Sequence, residues 1–141
     1  MILMNGEIDL NKMLATLSPE LRKGSYVFCC LDNPKDERLH LLNPLATFAE
    51  AEGLTVVINK DIADNLQIDY DGEFSCISLM VHSSLHAVGL TAAVSRVLSE
   101  VDISANIIAA YYHDHVFVPK EKTHQALDTL KSLASNSPIS P

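Results

Sequence analysis

The chain is 141 residues long, enough for one ordinary domain or two very small ones that must pack tightly to bury a core. Apolar residues make up 48% and charged residues 20%, a globular composition that excludes a disordered or fibrous chain. With 10 basic against 18 acidic residues the formal charge is -8, which repels phosphate backbones and anionic lipid and argues against nucleic-acid and membrane partners.

Met1-Ile2-Leu3-Met4 is too short for a secretory h-region and is broken by Gly6, Glu7 and Asp9. No later stretch approaches a membrane span, so a cytoplasmic protein is expected. Ile2 to Met4 reads as a first strand. Leu10, Leu14, Leu17 and Leu21 then fall at helical spacing, and Val27-Phe28-Cys29 reads as a strand. Between Asp32 and Gly53 an inserted hairpin segment is expected, with a helix over Ala46 to Glu52, before a strand at Val57 and a helix at Leu66.

In Phe74 to Val81 the residues Ile77, Leu79 and Val81 alternate with Cys76, Ser78 and Met80, the period of a strand with two unequal faces. His82-Ser83-Ser84 ends that run. From Ala87 to Val101, Leu90, Val94, Val97, Leu98 and Val101 predict a helix with one buried face. Ile103 to Tyr112 and His115 to Val118 predict two strands joined at His113-Asp114. Pro119 closes the second strand and opens a helix whose stripe is Ala126, Leu127, Leu130, Leu133 and Ala134. The Ser/Pro-rich residues 135–141 read as a disordered tail.

The halves echo each other. A shift of 80 residues places Leu10 on Leu90, Leu14 on Val94, Leu17 on Val97, Leu21 on Val101 and Val27-Phe28-Cys29 on Ile107-Ile108-Ala109. A shift of 61 places Val57 on Val118 and Leu66 on Leu127. Two units, 1–67 and 68–134, are therefore expected, each reading β, α, β, β, α. The strand needed to complete each would come from the other unit or from a second chain.

Candidate chemistry is sparse. Cys29, Cys30 and Cys76 form no CxxC pair and read as buried reduced thiols. His82 and His86 lack partners for a recognisable metal pattern, and neither a metal nor a cofactor is expected. No nucleophile has a partnered base, so catalysis has little support. The turn His113-Asp114-His115 is either a hairpin tip stabilised by Asp114 or a contact with a ligand or neighbouring subunit. The segment Ser83 to Gly89 links a strand to a helix start, where free N–H groups and the helix dipole favour a carboxylate. Gly89 allows close backbone approach, and Ser83 or Ser84 offers a hydroxyl.

His86 to Ala110, with Val88-Gly89-Leu90 opening the helix and Ile103-Ser104-Ala105-Asn106-Ile107 after it, resembles the ACT domain, the regulatory module attached to aspartate kinase and other amino-acid enzymes. Ser83-Ser84-Leu85, Val88-Gly89-Leu90-Thr91-Ala92, Glu52-Gly53-Leu54-Thr55 and Tyr112-His113-Asp114-His115-Val116-Phe117-Val118-Pro119 are similar to small stand-alone bacterial proteins with two ACT-like units. The resemblance implies an α+β, ferredoxin-like sandwich of tandem βαββαβ units with antiparallel sheets. It also implies an amino-acid effector whose carboxylate meets the amides of Ala87, Val88 and Gly89 and whose ammonium meets Asn106. Copy one has Asp9 where copy two has Gly89, so its loop departs from the pattern. The expectation is a non-catalytic, homodimeric binding or regulatory module, with a ligand-free protein-interaction module as the alternative.

Overall fold

The computed structural model describes residues 10–81 and 89–135. The expected strand at Ile2 to Met4 and residues 136–141 of the expected tail lie outside the described residues, while Ser135, expected in the tail, is the last residue of a helix. The elements are α1 (residues 10–15), β1 (Ser18–Leu21), β2 (Tyr26–Leu31), α2 (Leu39–Leu42), β3 (Ala46–Glu50), β4 (Gly53–Asn59), α3 (Lys60–Asn65), β5 (Phe74–Met80), α4 (Leu90–Glu100), β6 (Asn106–Ala109), β7 (Asp114–Pro119) and α5 (Thr123–Ser135), the last preceded by a 3-10 turn at Lys120–Lys122. No helix among the described residues is long and apolar enough to cross a membrane.

Contacts divide the chain into two compact units, one of Met1–Arg22 with Cys76–Pro141 and the other of Lys23–Ser75. In the first, the sheet runs β1, β5, β7, β6. The order is that of a ferredoxin-like α+β unit, with β5-α4-β6-β7-α5 as its βαββα run and β1 as the fourth strand. β1 is antiparallel to β5 with Ser18 opposite Met80 and Leu21 opposite Ile77. One face of this sheet, through Ile77, Leu79, Val116 and Val118, packs against Met13, Leu14 and Leu17 from the N-terminal segment, Leu90, Val94 and Leu98 from α4, and Ala126 and Leu130 from α5. Alternation along a strand sends Ser78 and Met80 to the opposite face.

In the second unit β4 lies between β3 and β2, antiparallel to both. Val27, Cys29, Leu31, Val56 and Ile58 form its core with Leu42, Ala63 and Ile68. The echo between the halves persists in three dimensions, since Tyr26 and Asn106 each begin a strand 80 residues apart and Gly53 and Asp114 begin strands 61 apart.

Four expectations are corrected. The helix expected to run through Leu21 ends at residue 15, because Pro19 lacks an N–H and disfavours helical geometry at Ser18. Residues 18–21 instead add a strand to β5. The inserted segment Ala46 to Glu52 holds the edge strand β3 and a tight turn, with Glu50 opposite Gly53, and the insertion's helix is α2. Ile103 to Tyr112 contains only four strand residues: Asp102 takes φ 60° and the Ile103 N–H donates back to the Leu98 carbonyl, so the chain stays tied to the end of α4 until Asn106. The hairpin link is consequently Ala110 to His113, closed by the Ala110 N–H on the His113 carbonyl. Finally, Cys29 and Cys76 are buried but Cys30 is exposed, on the alternate face of β2.

Candidate functional site

Two places in the first unit have the makings of a binding site. The first is the start of α4. Gly89 is its N-cap at φ 101°, a left-handed conformation that costs glycine little, and an added Cβ would lie 3.1 Å from Leu10 Cδ2. Its carbonyl accepts the first helical bond, from the Ala93 N–H. Among the described residues no side chain caps this end, and no acidic residue occupies the first turn. The N–H groups of a helix start without such a cap are open to an anion. Ser83, Ser84, Ala87 and Val88 lie outside the described residues. Asn106 is exposed at the start of β6, opposite Phe117.

The second place is a cleft of about 240 Å³ lined by Glu20, Leu21 and Arg22, by Ser78 and Met80 of β5, and by His113 and His115. The strand register explains the set. Glu20 stands opposite Ser78, and the Arg22 N–H donates to the Cys76 carbonyl, continuing the ladder one residue past β1. On the other side of β5, Ser78 Oγ lies 2.8 Å from His115 Nδ1. Asp114 opens β7 opposite Ala109 and is half-buried. His113 Nδ1 is a buried nitrogen with no hydrogen-bond partner. Such an atom pays desolvation without the return of a hydrogen bond.

The cleft sets the Arg22 guanidinium and two imidazoles beside the Glu20 carboxylate. Burial, then the Arg22 guanidinium and His113, push the His115 imidazole down from its usual 6.5, with only Asp114 opposing. Burial pushes the Cys76 thiol up to about 11, against the pull of Arg22 and of a hydrogen bond with Ser78. A thiol held that high is protonated near neutrality and unreactive. Among the described residues neither Glu20 nor Arg22 forms an ion pair. No group of three or more His, Cys, Asp or Glu among them could hold a metal ion.

A pH effect follows. Between 6.5 and the lower folded value the unfolded His115 carries a proton that the folded one does not. Stability is therefore unaffected by this group above its usual value, falls as the pH drops through that window, and levels once the folded imidazole is protonated too. His115→Gln should flatten the fall in urea midpoint on acidification from neutrality. An unaltered slope would exclude His115 as its source.

The sequence reading brought forward His113, Asp114 and His115 but missed Glu20, Arg22, Ser78 and Met80. The available signal was Pro19, which rules out a helix interior and leaves Glu20 and Arg22 at strand spacing on one side.

Residues 5–75 and residues 72–132 each match a family model of the ACT domain. No curated protein matches the chain. Among solved structures, a Vibrio cholerae protein of unknown function, described as a possible transport protein, is 48% identical over 92% of this chain and 98% of its own, with a TM-score of 0.83. A protein from Agrobacterium tumefaciens is 18% identical, covering 84% of this chain and 89% of that one at a TM-score of 0.66. The ligand-free regulatory subunit of aspartate kinase from Thermus thermophilus shares the fold at 10% identity, covering 84% and 98% with a TM-score of 0.57. The chain belongs to the ACT domain family of regulatory, small-molecule-binding modules, two of which it carries in tandem.

Proposed function

We propose that this protein is a non-catalytic cytoplasmic sensor that binds an amino acid at the start of α4 and acts as a homodimer. The observation that carries the reading is the helix start itself: an eleven-residue helix opening on a left-handed glycine, with no side-chain cap among the described residues and no acidic residue in its first turn. A carboxylate is the complementary group, since it takes up the unpaired N–H groups and the positive end of the dipole. In this reading the amides of Ala87, Val88 and Gly89 hold the carboxylate, Ser83 or Ser84 adds a hydroxyl, and Asn106 accepts from the ammonium.

Thermal unfolding in the presence of each standard amino acid tests it. A ligand present at about a hundred times its dissociation constant stabilises the native state by about 2.7 kcal/mol, which raises the melting temperature by several degrees. If none of them raises it at millimolar concentration, the reading fails.

One observation favours a protein-docking role instead. Tyr111 and Tyr112, at 93% and 82% exposure, stack edge to face at the tip of the β6–β7 hairpin beside His113. Exposed aromatic pairs of this kind are common anchors at interfaces. Loss of dimerisation in Tyr111→Ser/Tyr112→Ser, with amino-acid binding absent from the parent, would favour docking.

A further inference from the structure

The cleft beside β5 is not part of the α4 start. Gly89 and α4 belong to the helical side of the sheet, whereas Ser78 and Met80 alternate with core residues Ile77 and Leu79 and face the other way. The contents of the cleft are those of a receptor for both ends of a zwitterion. Arg22 is a permanently charged donor with no partner among the described residues, and Glu20, two positions earlier on the same side of the chain, is a carboxylate equally unpaired. β5 supplies Ser78, β7 supplies His115 at 2.8 Å from it, and the hairpin link before β7 supplies His113. Met80, on the same face as Ser78, supplies an apolar wall.

From this arrangement we infer that the cleft is a second ligand site, for a free α-amino acid, with its carboxylate on Arg22, its ammonium on Glu20, its side chain against Met80, and the imidazoles of His113 and His115 lining the cleft beside it. A simple anion would leave Glu20 unpaired beside it, and a simple amine would leave Arg22 so. The volume agrees: about 240 Å³ is below the usual range for drug-sized or nucleotide ligands and suits a single amino acid. A carboxylate placed between Arg22 and the imidazoles would also offset the field that disfavours a proton on His115, whose other charged neighbours are His113 and Asp114.

The test is imidazole NMR on the full chain, following the ring signals of His113 and His115, assigned with His113→Gln, while each standard amino acid is titrated. For any that binds, its deaminated acid and its decarboxylated amine are titrated at matched ionic strength. Saturable movement of both signals is expected, weaker by at least about tenfold for either half-ligand and for Arg22→Ala or Glu20→Gln, since each removes a charge-assisted hydrogen bond. Arg96→Ala, on the exposed face of α4, serves as the control and should bind normally. The inference is overturned if no amino acid moves the signals saturably at millimolar concentration. It is equally overturned if the deaminated acid or Glu20→Gln binds as well as the parent pair. A rise in melting temperature that survives Arg22→Ala without imidazole movement would overturn the cleft and leave the α4 site standing.

Discussion

Removing residues 1–22 is expected to unfold the body made of β5, α4, β6, β7 and α5 outright. That body is discontinuous in sequence, and the missing piece is structural at every level. Four residues, Ser18 to Leu21, pair with Met80 to Ile77, so their loss strips one edge of β5 of its partner. Met13, Leu14 and Leu17 are each only 5% exposed and sit among Leu79, Leu98 and Leu130. Truncating one such side chain costs roughly 2 to 5 kcal/mol, so losing three reaches about 6 to 15 kcal/mol, the whole stability of an ordinary domain. The same argument applies to a fragment of residues 72–132, which spans the second ACT match but contains neither α1 nor β1. In both fragments the residues of the β5, α4, β6, β7 and α5 body should give collapsed amide signals and no cooperative melt, while the Lys23–Ser75 unit of the longer one keeps its own core and signals, and the bare edge of β5 should promote association. Dispersed amide signals from residues 76–135, lost in a sharp thermal transition, in a chain beginning at Lys23 would refute this.

The misreading of β1 shows what the sequence carries and what it withholds. Leu10, Leu14, Leu17 and Leu21 fit a helical stripe as well as Leu90, Val94, Val97 and Val101 do, and the first three are indeed packed toward the core. The fourth betrays the error, for Leu21 is 44% exposed. Periodicity records which residues are buried; it does not record that Pro19 turns the last of them into a strand. The same limit applies to β3. Ala46-Thr47-Phe48-Ala49-Glu50 mixes helix-forming Ala and Glu with Thr and Phe, and pairing with β4 decides the outcome. By contrast β5, α4, β7 and α5 were legible, because each combines a clean period with a clear stop, and the repeat offsets of 80 and 61 survive as strand starts.

The cleft was legible only in part for a related reason. His113 and His115 announce themselves in a turn, but Glu20 and Arg22 are more than 50 residues from Ser78 in sequence and reach it solely through the β1–β5 register. A helical reading of residues 10–21 removes that register. The strand that completes the sheet also brings Glu20 and Arg22 to the cleft, so the sheet and the charged lining of the cleft depend on the same short segment.

Gly53→Val is expected to lower the unfolding free energy of the Lys23–Ser75 unit by roughly 3 kcal/mol or more. Gly53 opens β4 after the tight turn from β3, at φ 155°, where L residues with a side chain are strained. A Cβ there would stand 2.7 Å from both Cys30 Sγ and the Leu31 carbonyl oxygen. The two contacts differ in kind. Cys30 is exposed and its sulfur can swing away, but the Leu31 carbonyl is fixed backbone of β2, with Leu31 directly opposite Leu54. Relief therefore requires β2 and β4 to separate at that end. Leu31 and Leu54 are buried in the core with Val56 and Ile58, so separation opens a void as well as straining the backbone. The two contacts can be told apart by adding Cys30→Ala: if the sulfur were the obstacle it would restore stability, whereas a backbone obstacle leaves the double variant as weak as Gly53→Val. Urea unfolding monitored by signals from this unit should give the second result. A Gly53→Val midpoint within the error of the parent would mean that the turn from β3 into β4 can adjust to accept a side chain.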